Sequence, residues 1–396
     1  MPLPLQGVKV VELGSLIAGP FCARLLAEFG AEVIKIEPPG VGDPLRKWRK
    51  LHDGTSLWWY AQARNKKSVT LDLKHEEAQE IVRKLARDAD IVVENFRPGA
   101  MEKWGLGWND LSRINPRLIM VRLSGFGQTG PYRDRAGFGA IGESMGGLRY
   151  VTGHPDRPPV RVGVSIGDSI AALHGAIGAL MALHHRNVNG GRGQFVDVAL
   201  YEAVFNMMES VLPEYDMFGF VRERSGASLP GIVPSNTYVT RDGKYVVIGA
   251  NADSIFKRMM NAIGRPDLAG DPALAHNDGR VARTDEIEKV IGDWVAGHDL
   301  DRVLEVLEKA DVPSAKIYDI ADIARDAHYA AREMIGTYRL RDGKSIKLPG
   351  IVPRMSETPG ATKWVGPALG EHTAEVLTAL GYGPEQQRDL RKRGVI

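Results

Sequence analysis

Short β-rich runs alternate with helix-spaced apolar runs through the first half of the chain, and few folds accommodate that alternation. Residues 8–13 read as a strand, 14–20 as a loop of small residues, and 21–29 as a helix that stops at Gly30. Residues 32–37 form the next strand signal and end at Pro38, Pro39 and Gly40. Further strand signals fall at 68–73, 91–96, 117–123 and 194–199, with helices expected over 75–89 and 170–185. Strand–helix alternation of this kind implies an α/β fold with a largely parallel sheet and helices on both faces. On such sheets ligands bind at the carboxyl ends of the strands.

The pattern changes farther along. Residues 201–212 read as a helix stopped by Pro213. Residues 238–250 read as a hairpin turning at 241–244, followed by helix-rich sequence over 253–310. A strand is expected at 315–318, a helix at 319–333, a second hairpin at 338–348 and a last helix at 373–380. With 396 residues the chain exceeds one small core. Its 51 basic and 49 acidic residues give a net charge of +2, so nothing in the balance points to nucleic acid. Cys22 is the only cysteine, which excludes an intrachain disulfide and a multi-cysteine zinc site. The start lacks a basic segment leading into an apolar run, and 171–183 is too short to span a bilayer. The reading is a cytoplasmic protein with no membrane partner.

Familiar ligand motifs fit poorly. The loop at 14–19 lacks G-x-G-x-x-G spacing; that spacing occurs at 125–130 and 137–142 without the strand and helix that dinucleotide binding needs. No phosphate-binding G-x-x-x-x-G-K-[ST] is present. G-x-S-x-G surrounds Ser144 and Ser165, but neither follows the buried strand of a nucleophile elbow. The histidines show no metal-binding spacing. Asp168 stands out. It follows Gly163 and Gly167 and precedes a long apolar stretch, where it can cap a helix or act as a carboxylate nucleophile. Spacing alone leaves both roles open.

The chain resembles the class III coenzyme A transferases. The resemblance runs through 5–10, 18–20, 30–37, 65–68, 93–99, 125–132, the Asp168 segment and 369–373. It implies that Asp168 is the catalytic aspartate, acylated during turnover. It implies that Leu16, Ile17 and Ala18 lie along the CoA near the thioester. Leu71 and Lys74 would flank the nucleotide end, and Asn95, Phe96 and Arg97 would line the pantetheine or phosphate region. Lys103 matches a position often basic in the family. Pro38 stands where some members carry arginine, which leaves a phosphate contact to be supplied elsewhere, with Arg46 and Arg64 as candidates. Arg46, Arg49 and Arg64 are also candidates for holding the distal carboxylate of an acceptor.

The related α-methylacyl-CoA racemases carry Ala-Gly-His-Asp where this chain has Ala136-Gly137-Phe138-Gly139, so the proton-transfer histidine and its neighbouring carboxylate are both missing. Formyl-CoA:oxalate transferases tend to have a glycine tetrad in the middle region that is absent here. The resemblance therefore implies transfer of CoA from succinyl-CoA to a dicarboxylic acid. Racemase-like isomerisation, formyl-CoA:oxalate transfer and non-catalytic acyl-CoA binding are the alternatives. It also implies a Rossmann-like large domain built from 1–224 and 331–396, a smaller α+β domain over 225–330, and an interlocked homodimer. No metal or permanent cofactor is required, and coenzyme A enters as substrate.

Overall fold

Six strands pair side by side in parallel: β1 (Lys9–Glu12), β2 (Glu32–Glu37), β3 (Lys66–Thr70), β4 (Ile91–Glu94), β5 (Ile119–Ser124) and β6 (Phe195–Ala199). Their order is β3-β2-β1-β4-β5-β6. The order in which strands are added therefore reverses between β1 and β4, the topological switch point at which α/β folds hold ligands. The structure, a computed structural model, describes residues 2–396; Met1, which opens the segment expected for the large domain, lies outside them.

Both faces of the sheet are covered, which is why Ile91-Val92-Val93 reads as a continuous apolar run instead of alternating. Val10, Val33, Ile91, Val93, Ile119 and Val121 pack on one side, with α1 (Ala18–Glu28). Val11, Ile36, Val69, Val92 and Met120 pack on the other, with α2 (Glu76–Asp88) and the C-terminal Val376, Leu377 and Leu390. Three further helices frame the site: α3 (Gly139–Met145), α4 (Ile166–Val188) and α5 (Leu200–Phe205). Ala171, Ala172, Ala176 and Ala179 line the buried face of α4, so short side chains bring that helix close to the sheet. This helix is long and apolar enough to cross a membrane, but half of its most apolar window is buried within the chain.

The chain divides into two compact units. One comprises residues 2–149, Arg161–Phe220 and Ala331–Ile396; the other comprises Tyr150–Val160 and Val221–Ala330. The second holds an antiparallel sheet of Ser235–Val239, Tyr245–Gly249 and Ser314–Lys316 against a helical core that includes Met259, Ile291 and Val303. The expected segment 225–330 falls inside this second unit, which also takes in Tyr150–Val160.

Several local expectations are corrected. The long helix begins at Ile166, four residues before the apolar stretch, because glycine and serine tolerate its first turn. Pro213 does not stop a helix; it lies in the first turn of Val211–Phe218, where its missing N–H costs nothing. The helix expected at 319–333 is two short ones, Ile320–Arg325 and Ala327–Ala331, separated by Asp326. Pro384–Lys392 is a helix that the sequence reading passed over.

Candidate functional site

The loop after β1 is held at three consecutive residues by the buried Lys35 and Asp43 and the half-buried Asn95. Lys35 Nζ donates to the Gly14 carbonyl at 2.8 Å. Asn95 accepts from the Ser15 N–H at 2.7 Å and donates to the Ser15 carbonyl at 2.9 Å. Asp43 accepts from the Leu16 N–H through both oxygens, at 3.1 and 3.2 Å. Leu16 itself has φ 64°, a left-handed conformation that a leucine adopts only when its surroundings impose it. Lys35 also pairs with Glu12 at 2.8 Å and with Asp43 at 2.9 Å. Burial pulls the Lys35 ammonium down, but Asp43, Glu12 and Glu37 outweigh it and hold the group above its ordinary pKa. Removing that charge leaves a surplus of buried carboxylate. Lys35→Met is expected to destabilise the protein by about 3–5 kcal/mol, read from the urea unfolding midpoint.

Beside this loop a cavity of about 320 Å³ opens at the carboxyl ends of β1 to β4. Leu71, Lys74 and Phe96 line it with Ser15, Pro38 and Trp104. Phe96 and Trp104 meet edge to face, with ring centroids 5.3 Å apart. Arg97 and Lys103 are exposed on the segment that follows β4, and neither lies in the cavity wall. Ile17 and Ala18 are buried at the start of α1, and the Ile17 carbonyl accepts from Gln62. Asn95 is engaged with Ser15 at both ends of its amide, so it shapes the loop beside the cavity.

The arginines expected to replace the phosphate contact are not free to do so. Arg46 grips Glu37 with two bonds of 2.7 and 2.8 Å, donates to the Pro367 carbonyl at 3.1 Å, and lies 3.7 Å over the Trp59 ring. Arg64 is buried, paired with Glu28 at 3.0 Å and bonded to the carbonyls of Ala61 and Pro349. Both hold the C-terminal segment against the N-terminal one. Arg49 stands 4.7 Å over the Trp58 ring and remains exposed. At the mouth of the cavity Lys74 is the cation, exposed and without an ion pair or hydrogen bond to its ammonium among the described residues.

Asp168 lies elsewhere along the same edge of the sheet and is not part of the cavity wall. The loop leaving β5 carries Gly125, which is so close to Gly137 that a Cβ on Gly125 would stand 2.7 Å from the Gly137 Cα. Two residues on, Gly139 begins α3, and the Asp168 carboxylate rests on it. A Cβ at Gly139 would lie 2.0 Å from Asp168 Oδ2. The N-cap of α4 is Ser165, and Asp168 is the third residue of the first turn, which corrects the capping alternative. The carboxyl is pushed up to about 6 by burial first and by Glu143 second, while Arg161 and its own backbone N–H oppose the rise. A partly buried carboxylate near neutral pKa, with bare backbone beside it, has the space and basicity to attack an acyl carbon.

Glu143 and Arg161 were not singled out from sequence. A glutamate in an eight-residue stretch of small and apolar residues was the available signal, because a charge there is either exposed or paired. Lys35 carried a similar signal, as a lysine inside a buried parallel strand.

The model of CoA-transferase family III matches residues 5–373. A succinyl-CoA–D-citramalate CoA-transferase from Chloroflexus aurantiacus is 52% identical over 397 residues, covering 100% of this chain and 98% of the relative. The beta subunit of a succinyl-CoA–L-malate CoA-transferase from the same organism is 44% identical, with 100% of this chain and 98% of the relative covered. A solved structure of a CAIB/BAIF family protein from Brucella suis superposes with a TM-score of 0.84 at 34% identity, covering 96% of this chain and 100% of that one. A parallel sheet with its cavity at the switch point, an aspartate seated on glycine, and matches along almost the full length agree: the chain belongs to CoA-transferase family III.

Proposed function

We infer that this transferase moves coenzyme A from succinyl-CoA to a dicarboxylic acid, with Asp168 as the covalent carrier. The observation that carries the nucleophile is the contact between the Asp168 carboxylate and the bare Cα of Gly139. The acceptor class is supported by relatives named for citramalate and malate, both dicarboxylic acids. An Asp168 oxygen attacks the thioester carbonyl, the C–S bond breaks, and CoA thiolate leaves a mixed anhydride. The thiolate attacks the aspartyl carbonyl and releases succinate, leaving an aspartyl-CoA thioester. The acceptor carboxylate then attacks the aspartyl carbonyl, the C–S bond breaks, and CoA thiolate leaves a second mixed anhydride; the thiolate attacks the acceptor's acyl carbon, the anhydride C–O bond breaks, and the Asp168 carboxylate is restored. Charge and protons balance without any redox group.

CoA is proposed to run along Leu16, Ile17 and Ala18. Leu71 and Lys74 are assigned to its nucleotide end, Asn95 and Phe96 to the walls nearby, and Arg97 and Lys103 to its phosphates. Leu173, Ile177, Leu180 and Met181 form an exposed apolar stripe at helical spacing on α4, which supports a homodimer that buries it. A cytoplasmic location is proposed with it, and the lone buried Cys22 suits a reducing compartment.

Succinyl-CoA incubated with a panel of carboxylic acids, read by the mass of each new thioester, tests the reading. Dicarboxylates are expected to be converted to their CoA thioesters, and a preference for oxalate with formyl-CoA would redirect the assignment. Deuterium uptake at the α-carbon of a 2-methylacyl-CoA without CoA exchange would favour the racemase alternative. That outcome is not expected, since Phe138 and Gly139 offer no group to take the proton. The nucleophile must be ionised, so kcat/KM should fall about tenfold per pH unit below roughly pH 6 and level off above it. A profile flat down to pH 4.5 would contradict an ionised Asp168 as the attacking group.

A further inference from the structure

Beneath Asp168 lies a second carboxylate that the transfer chemistry does not itself require. Glu143 is 1% exposed and sits one helical turn beyond Gly139 on α3. Its Oε2 meets Arg149 at 3.2 Å, and its Oε1 is buried with no hydrogen-bond partner among the described residues. The packing there is close: a Cβ on Gly167 would stand 3.2 Å from the Glu143 Cγ and 3.0 Å from the Gly139 carbonyl. An unpaired buried oxygen of this kind costs free energy and persists where something else compensates. Resting on the assignment of Asp168 as nucleophile, we propose that Glu143 is a positioning residue whose free carboxylate oxygen repels the Asp168 anion, so that acylation, which neutralises Asp168, relieves the repulsion.

The repulsion acts selectively along the reaction. In the free enzyme two carboxylates share a partly dry space, and Glu143 is the charge that raises Asp168. In the mixed anhydride and in the aspartyl-CoA thioester Asp168 carries no charge. Glu143 therefore makes the attacking oxygen more basic and shifts the equilibrium towards covalent enzyme. Apart from Arg161, the charged groups on the elements packed against α4 are already committed. Arg161, preceding the helix, opposes the rise. Tyr201 donates to Glu202 on α5. Arg24 and Glu28 of α1 pair with each other, and Glu28 also pairs with Arg64. His174 bonds the Ile170 carbonyl on its own helix. On the strands beneath, Asp197 accepts from the Gln128 N–H, and Arg122 pairs with Glu94 and Glu102.

The test compares wild type, Glu143→Gln and Arg149→Met in two readouts. One is the pH of the acid limb of kcat/KM. The other is the fraction of enzyme trapped as an Asp168 adduct by hydroxylamine at equilibrium with succinyl-CoA. Glu143→Gln is expected to move the limb down by about one pH unit and to reduce the ratio of acylated to free enzyme about tenfold. Arg149→Met breaks the same ion pair but keeps the charge on Glu143, so its limb should stay at or above the wild-type position. Equal downward shifts in both variants would mean that only the ion pair's packing matters, and the proposal would be overturned. An unchanged limb and adduct ratio in Glu143→Gln would overturn it as well. Glu143→Met, which removes the charge at similar volume, repeats the measurement if glutamine does not fold. The two assignments fail differently: absence of any wild-type adduct on Asp168 removes the nucleophile, whereas a normal adduct with unshifted variants removes only Glu143.

Discussion

Asp168→Asn should lose transfer by about 10⁴-fold or more in kcat while becoming more stable than the parent protein at neutral pH. The loss follows from chemistry. A carboxamide is close in size to a carboxylate but carries no anionic oxygen to form the anhydride. The gain follows from the same environment that makes the residue reactive. Folding lifts the Asp168 carboxyl from its ordinary 3.8 to about 6, chiefly through burial and Glu143. Between those two values the folded protein holds a proton that the unfolded chain has released. The favourable contribution of the protonated form is thus complete below 3.8 and lost as pH rises through 6. Above that window the ionised carboxylate works against folding by about 1–3 kcal/mol, the lower figure allowing for its partial exposure to water.

Asparagine carries no such charge. The urea midpoint of Asp168→Asn should therefore exceed wild type at pH 7.5, and the difference should shrink at pH 4.5. Folded protein that retains near-normal exchange without this carboxylate would remove the covalent mechanism altogether. Lower stability at neutral pH would say that the aspartate makes favourable contacts that outweigh its desolvation.

The parallel sheet was legible because its information is local and repeated. The apolar runs at Ile91-Val92-Val93 and at 118–121 can only be strands covered on both faces, and the glycine at Gly30 marks the end of a helix. Pairing between distant charges was not legible. Nothing near Arg46 in sequence says that it grips Glu37, nine residues earlier, while also reaching the Pro367 carbonyl over three hundred residues later. An arginine beside a ligand loop reads as a ligand until the fold is known. Asp168 was visible as a candidate, but its neighbour Glu143 was not. Helix α3 is a single short run rich in glycine, with too little amphipathic pattern to announce itself, and the contact between α3 and α4 is tertiary. The candidate carboxylate thus stands out in sequence, whereas Glu143, proposed here to tune it, lies on an element that only packing defines.

Gly139→Ala tests whether that packing matters to catalysis. A methyl group at this position would stand 2.0 Å from Asp168 Oδ2 and 2.7 Å from its Cγ, so the carboxylate must move by more than an ångström. Displacing a reacting group by that distance costs on the order of 100-fold in kcat. Helix propensity acts in the opposite direction, since alanine favours a helix over glycine by about 1 kcal/mol. The two contributions separate in a double-mutant cycle. With Asp168 present, Gly139→Ala should lower both kcat and the unfolding midpoint. With Asp168→Ala the space beside residue 139 is vacant, and the same substitution should leave the midpoint unchanged or raise it. A reversal of sign between backgrounds places the clash at the Asp168 carboxylate. If Gly139→Ala instead destabilises both backgrounds equally, some other contact of α3 requires the glycine, and the close seat of the nucleophile on its backbone is not what limits the reaction.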